Sequence, residues 1–204
     1  MRALVIAPLD SIPTTFTYCF AQEVVKYLKS LGWSVNTLFT MNANRIAYAL
    51  VNTRAYDLII YTGHGVRKPT PAWVGQLQLV PILGWLQDKS NASKLDRRNV
   101  ITFCCFGYWL VRYVPAHTYF GSTYAMYVAF PNEEHDYMRD FLDTWMTLVR
   151  TYIEAGDPFY ALREYKRRGY EYVKEYIRNK WFGWDVYQRA MLKNIEHYNV
   201  LIRD

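Results

Sequence analysis

Asp57-Leu58-Ile59-Ile60-Tyr61-Thr62-Gly63-His64-Gly65 is an apolar run that ends in an imidazole between two glycines. A second run, Asn99-Val100-Ile101-Thr102-Phe103-Cys104-Cys105-Phe106-Gly107, ends in two thiols. Each has the length and the β-branched and aromatic content of a buried strand. What surrounds them decides which kind of sheet they join.

Upstream, 2–9 opens directly as a short apolar run and reads as a first strand. Asp10-Ser11-Ile12-Pro13-Thr14 is a turn. Phe16, Phe20, Val24, Tyr27, Leu28 and Leu31 then recur at helical spacing, and Gly32 is the stop. A second strand is expected over 33–39. Asn42 or Asn44 could cap a short helix through Val51, and 56–62 is strand three. The alternation strand–helix–strand–helix–strand is the signature of a parallel α/β sheet.

Downstream, 66–78 is rich in breakers and reads as a loop, with a short helix expected over 78–87 and a polar, exposed stretch over 88–98. Strand four covers 99–104, and 107–114 is helical until Pro115. Segments 117–122 and 124–130 are strand-like, the second expected as a further strand of the same sheet. After Pro131 the pattern turns helical. Met138, Phe141, Leu142, Trp145, Leu148, Val149 and Tyr152 share one face of a long helix. Gly156-Asp157-Pro158 interrupts it, a second helix runs over 159–179, and a third over 184–202.

The expectation is a single domain spanning 1–204. Residues 1–130 form the sheet core and 131–204 the covering helices. The architecture is α/β in three layers: a mostly parallel sheet of order 2-1-3-4 plus further strands, helices on both faces, and a helical C-terminal segment.

Composition bounds the remaining classes. The chain has 204 residues, 51% apolar and 21% charged, enough for one sizeable core. Its 19 Tyr and 7 Trp suit cores, clefts and contact surfaces alike. Residues 1–132 carry 12 Lys/Arg against 5 Asp/Glu, whereas 133–204 carry 12 against 13. The half holding the His and Cys is therefore the basic one, which suits either an ordinary solvated face or an acidic partner. Cys19, Cys104 and Cys105 are too few and too poorly spaced for a disulfide framework. With no secretory leader pattern in the opening run, an intracellular, cytoplasmic setting is expected. No stretch reaches the roughly 20 apolar residues that span a bilayer, so no membrane association is expected.

In open α/β sheets, functional groups gather at the carboxyl ends of the strands. With strand order 2-1-3-4, strands one, three and four are neighbours, and their ends carry Asp10, His64 and Cys104/Cys105. Adjacent strands lie about 4.8 Å apart, so these side chains can converge. A thiol with a pKa near 8.5 is mostly protonated at neutral pH, and a nearby imidazole can act as its base or pair with the thiolate. A developing oxyanion needs donors, and Gly65 and Gly107 leave backbone amides uncluttered there.

An apolar block ending in His-Gly, followed some 40 residues later by one ending in x-Cys, resembles the caspase-like cysteine peptidases. That superfamily includes caspases, legumains, gingipains and the CHAT domains. Tyr61-Thr62-Gly63-His64-Gly65 looks most like the gingipain form, and Cys104-Cys105-Phe106-Gly107 looks like the caspase Ala-Cys-x-Gly. The resemblance covers most of 1–170 and implies a caspase-like fold and a cysteine endopeptidase. It makes Cys105 the nucleophile, His64 the general base or acid, and the Gly65 and Cys105 amides the oxyanion hole. Asp10 is similar to the legumain position that orients the catalytic His. The substrate would be a protein or peptide, with no metal or organic cofactor. Phe103 departs from the pattern: caspases have Gln there to help bind an acidic side chain, so aspartate specificity is not implied. No acidic residue near Cys105 suggests Arg or Lys specificity either.

Plainer roles compete. His64 and Cys105 could be packed strand-end residues, and Cys104 reads as a small buried core residue. Asp10 is first a turn-former or cap. Arg67 and Lys68 are first loop solubilisers, with contact to substrate as the alternative. Arg163, Lys166, Arg167 and Arg168 alternate with Glu164, Glu171 and Glu175 as a solvated helix face, so no nucleic-acid partner is expected. No paired ligand spacing points to zinc. The alternative function is a caspase-like module that binds without turnover. A flavodoxin-like phosphate binder would need a Gly-rich loop after strand one, which Asp10-Ser11-Ile12-Pro13 does not supply.

Overall fold

Six strands form one sheet: β1 (Arg2–Ile6), β2 (Ser34–Leu38), β3 (Leu58–Thr62), β4 (Asn99–Phe103), β5 (Thr118–Ser122) and β6 (Tyr198–Ile202), in the order β2-β1-β3-β4-β5-β6. All pairs are parallel except β5–β6. The structure, a computed structural model, describes residues 1–8, 12–40, 45, 48, 55–65, 99–112 and 116–203. The expected helices over 42–51 and 78–87 fall almost wholly outside these residues. The architecture is the expected three-layer α/β fold, with strands one, three and four side by side.

Register aligns the two decisive runs residue for residue. Leu58 faces Asn99 and Thr62 faces Phe103, so β3 and β4 end level. The Gly63 N–H continues the ladder by donating to the Phe103 carbonyl at 3.2 Å. Both strands are buried on both faces: Ile60 and Ile101 are fully buried on one, and Ile59 and Val100 nearly so on the other. That explains their continuous apolarity, because a strand covered on both faces has no solvent side to mark with polar residues.

The described helices are α1 (Ile12–Ser30), α2 (Tyr137–Ala155), α3 (Pro158–Asn179) and α4 (Trp184–His197), with a 3₁₀ segment over Gly107–Arg112. In α1, Phe16, Phe20, Val24 and Leu28 recur every fourth residue and are fully buried. The helix closes with Gly32 N–H donating to the Lys29 carbonyl and Trp33 N–H to the Leu28 carbonyl, which satisfies two terminal acceptors. Asp136 caps α2 through the Arg139 N–H, and Asp157 caps α3 through the Phe159 and Tyr160 N–H groups.

These helices share one core with Ala3, Val5, Leu58, Ile60, Ile101 and Phe103. Its centre is Trp145 of α2, stacked on Phe103 at 4.6 Å and edge-on to Phe16 and Phe20 at 5.0 and 5.3 Å. Each such pair contributes about 0.5–1.5 kcal/mol beyond its buried area. Outside this core, Arg168 bonds Asp143 at 2.7 Å and Arg167 bonds Glu164 at 2.8 Å, so these helix cations meet acidic neighbours.

Two stretches differ from the sequence reading. The third C-terminal helix stops at His197 rather than Ile202, and Tyr198-Asn199-Val200-Leu201-Ile202 forms β6 against β5. Those five residues contain three aliphatics suited to a strand, and an unpaired β5 edge offers them a full ladder. Segment 124–130 is not a strand: its backbone groups go to individual partners instead.

Candidate functional site

His64 and Cys105 follow the C-terminal ends of adjacent strands, His64 two residues past Thr62 and Cys105 two past Phe103. Both line one cavity of about 360 Å³. The Tyr61 hydroxyl donates to the His64 carbonyl at 2.9 Å, pinning the His64 backbone to its own strand. The Thr62 hydroxyl donates to the Thr17 carbonyl at 3.0 Å and ties the same strand end to α1.

Gly65 brings the two loops into contact. A Cβ built there would lie 3.0 Å from the Cys105 carbonyl carbon, closer still to that carbonyl oxygen, and 3.1 Å from the Cys104 Sγ. No side chain fits between the backbones, so the position requires glycine. Gly107 is packed against side chains: a Cβ there would press into Thr102 Oγ1 at 2.5 Å and Cys104 Sγ at 2.9 Å.

The two thiols differ sharply. Cys104 is buried at 1% exposure, and burial pushes its thiol far above the ordinary range, with the neighbouring Cys105 adding to the rise. Cys105 is half-buried, and its sulfur faces the segment after β5. The Met126 N–H donates to Sγ at 3.3 Å, and the thiol donates to the Met126 carbonyl at 3.7 Å. Burial raises the Cys105 thiol as well, and the Met126 amide works against that rise by stabilising the thiolate.

Phe106, directly after Cys105, has φ 56°, a left-handed conformation uncommon for a bulky residue. Its N–H donates to the Tyr124 carbonyl at 2.8 Å, and its ring meets that of Tyr124 edge-on at 6.0 Å. Such strain costs about 1–3 kcal/mol and collects where a side chain must be held at a particular angle.

Residue motifs do not reveal Asn194 of α4. It is 1% exposed, accepts from the Tyr127 N–H at 2.8 Å and donates to the Tyr127 carbonyl at 2.8 Å. One buried side chain thereby replaces a strand partner for Tyr127 and fixes the segment that touches Cys105. An amide with one donor and one acceptor face suits that task. The only local hint is an uncharged polar residue on a helix whose neighbours Met191 and Ile195 face the core.

His64 and Cys105 therefore line one cavity, and Gly65 lies against the Cys105 backbone. Asp10, Arg67 and Lys68 lie outside the described residues. A second cavity, about 420 Å³ and lined by Asp57, Asn99 and His117, opens at the opposite ends of the strands. Neither thiol reaches it. Among the described residues no three His, Cys, Asp or Glu side chains cluster as a metal site, and no helix is long and apolar enough to cross a membrane. No protein-family model matches the chain, and no curated protein matches it.

Proposed function

We propose that the chain is a cysteine endopeptidase of the caspase-like type, with Cys105 as nucleophile and His64 as its base. The observation that carries this reading is the shared cavity: an imidazole and a half-buried thiol line it from the level ends of β3 and β4. The strand order 2-1-3-4 supports the resemblance, because it seats His and Cys on neighbouring strands.

In this reading His64 takes the Cys105 proton as sulfur attacks the peptide carbonyl carbon, and the carbonyl electrons move to oxygen. The Gly65 amide, beside the Cys105 backbone, is a candidate donor to that oxyanion, together with the Cys105 amide. Collapse breaks the C–N bond, and His64 returns the proton to the leaving amine. Water then attacks the thioester with His64 as base, which releases the acid and restores the thiol. The raised thiol pKa favours general-base activation over a standing thiolate–imidazolium pair.

The same raised pKa supports a second reading, a caspase-like module that binds peptides without cutting them. Replacing Cys105 by Ala and assaying peptide libraries separates the two. The peptidase reading predicts cleavage by the wild type and none by the variant. Unchanged cleavage in Cys105→Ala sinks it, and loss in Cys104→Ala alone shows that the other thiol is the nucleophile.

A further inference from the structure

Among the described residues, the cavity beside Cys105 is lined by His64, the two thiols and otherwise uncharged residues. Phe103, Trp145, Thr14, Thr17, Met126 and Val128 are among the residues that line it. No Asp, Glu, Lys or Arg lines it among the described residues, although the half of the chain that holds the dyad has a marked basic excess. Phe103 is fully buried and stacks on Trp145 with only 16° between the rings, which fixes both side chains by packing. The Thr17 hydroxyl donates to the Thr14 carbonyl at 3.0 Å, so its proton is already committed. A cavity of about 360 Å³ sits at the low end of the roughly 300–1,000 Å³ found for ligand pockets.

We infer that this cavity selects a medium-sized, uncharged apolar side chain, of the leucine, methionine or phenylalanine kind, on the residue whose carbonyl Cys105 attacks. The inference rests on the peptidase reading and adds its substrate class. An aspartate or arginine entering the cavity loses its hydration and meets no opposite charge among the described lining residues. An apolar side chain gains buried area against the partly exposed Met126 and Val128.

The test is a fluorogenic peptide series, identical except for the residue before the scissile bond: Leu, Met, Phe, Asp and Arg. The expected result is kcat/KM at least about 100-fold higher for the best apolar member than for Asp or Arg, because burying a charge without a partner is strongly unfavourable. Val128→Asp should shift the preference toward Arg, and Val128→Asn, which adds no charge, should lower the Leu rate without raising the Arg rate. If Asp or Arg is cleaved as well as Leu, and that cleavage vanishes in Cys105→Ala, the inference falls and the peptidase reading stands. If no member is cleaved in a Cys105-dependent way, both fall.

Discussion

Replacing Gly65 by alanine places a methyl carbon where the backbone of the Cys105 turn already lies. The new Cβ would sit 3.0 Å from the Cys105 carbonyl carbon and closer to its oxygen. Carbon atoms in contact prefer about 3.5–4.0 Å, so one loop must withdraw by about 1 Å. Neither moves freely. The Tyr61 hydroxyl and the Gly63 ladder bond hold the first, and Phe106 N–H and Met126 hold the second. Overpacking of this kind costs about 1–3 kcal/mol. For a domain of this length each kcal/mol lowers Tm by about 2–4 °C, so a drop of roughly 2–12 °C is expected. A displacement near 1 Å at reacting groups costs on the order of 100-fold in rate. Calorimetry reads the first effect. Iodoacetamide labelling followed by mass spectrometry reads the second, with Cys19 of α1 as the internal reference. A Gly65→Ala protein that melts with the wild type and keeps its Cys105-to-Cys19 labelling ratio would refute the close approach of the two loops.

Asn194→Ala removes both bonds to Tyr127 and leaves its buried-side N–H and carbonyl without that partner, so a loss of about 1–3 kcal/mol is expected by chemical denaturation. The same variant should alter Cys105 labelling, because Met126 is the next residue; an unchanged labelling rate would separate the clamp from the thiol. Trp145→Ala deletes the ring that Phe16, Phe20 and Phe103 pack against and should cost about 3–5 kcal/mol, with a loss under 1 kcal/mol contradicting its central place. Burial holds the Cys105 thiol above the ordinary value near 8.5, so its alkylation rate in the free protein should keep rising with pH beyond that point. The linked stability runs in step. The folded-state pKa is the higher one, so the contribution is complete below about pH 8.5 and is lost as pH climbs through the folded value. A rate plateau near neutral pH would indicate a standing ion pair instead.

The sheet was legible because β3 and β4 are buried on both faces, which leaves an uninterrupted apolar signature that no amphipathic helix shares. Helix α2 was legible from its 3.6-residue spacing, and its breaks at Asp136 and Gly156 use ordinary cap chemistry. Helical periodicity could not mark the end of α4, because Val200, Leu201 and Ile202 suit either state and only the free β5 edge decides between them. Likewise 124–130 has strand composition, but Cys105, Phe106 and Asn194 take its backbone groups one by one. Those partners lie up to 67 residues away in sequence, beyond any local pattern. That His64 and Cys105 follow the ends of neighbouring strands was readable from the expected strand order. The Asn194 clamp and the strained Phe106 were not, since both arise from tertiary contact.

The most direct measurement is covalent capture by a peptide acyloxymethyl ketone bearing leucine at its reactive end, with the modified residue identified by mass spectrometry. A single adduct is expected, a thioether on Cys105, that forms much faster than any on Cys19 and slows sharply in His64→Ala. Labelling of Cys104 or Cys19 in preference to Cys105, or capture at the same rate without His64, would contradict it.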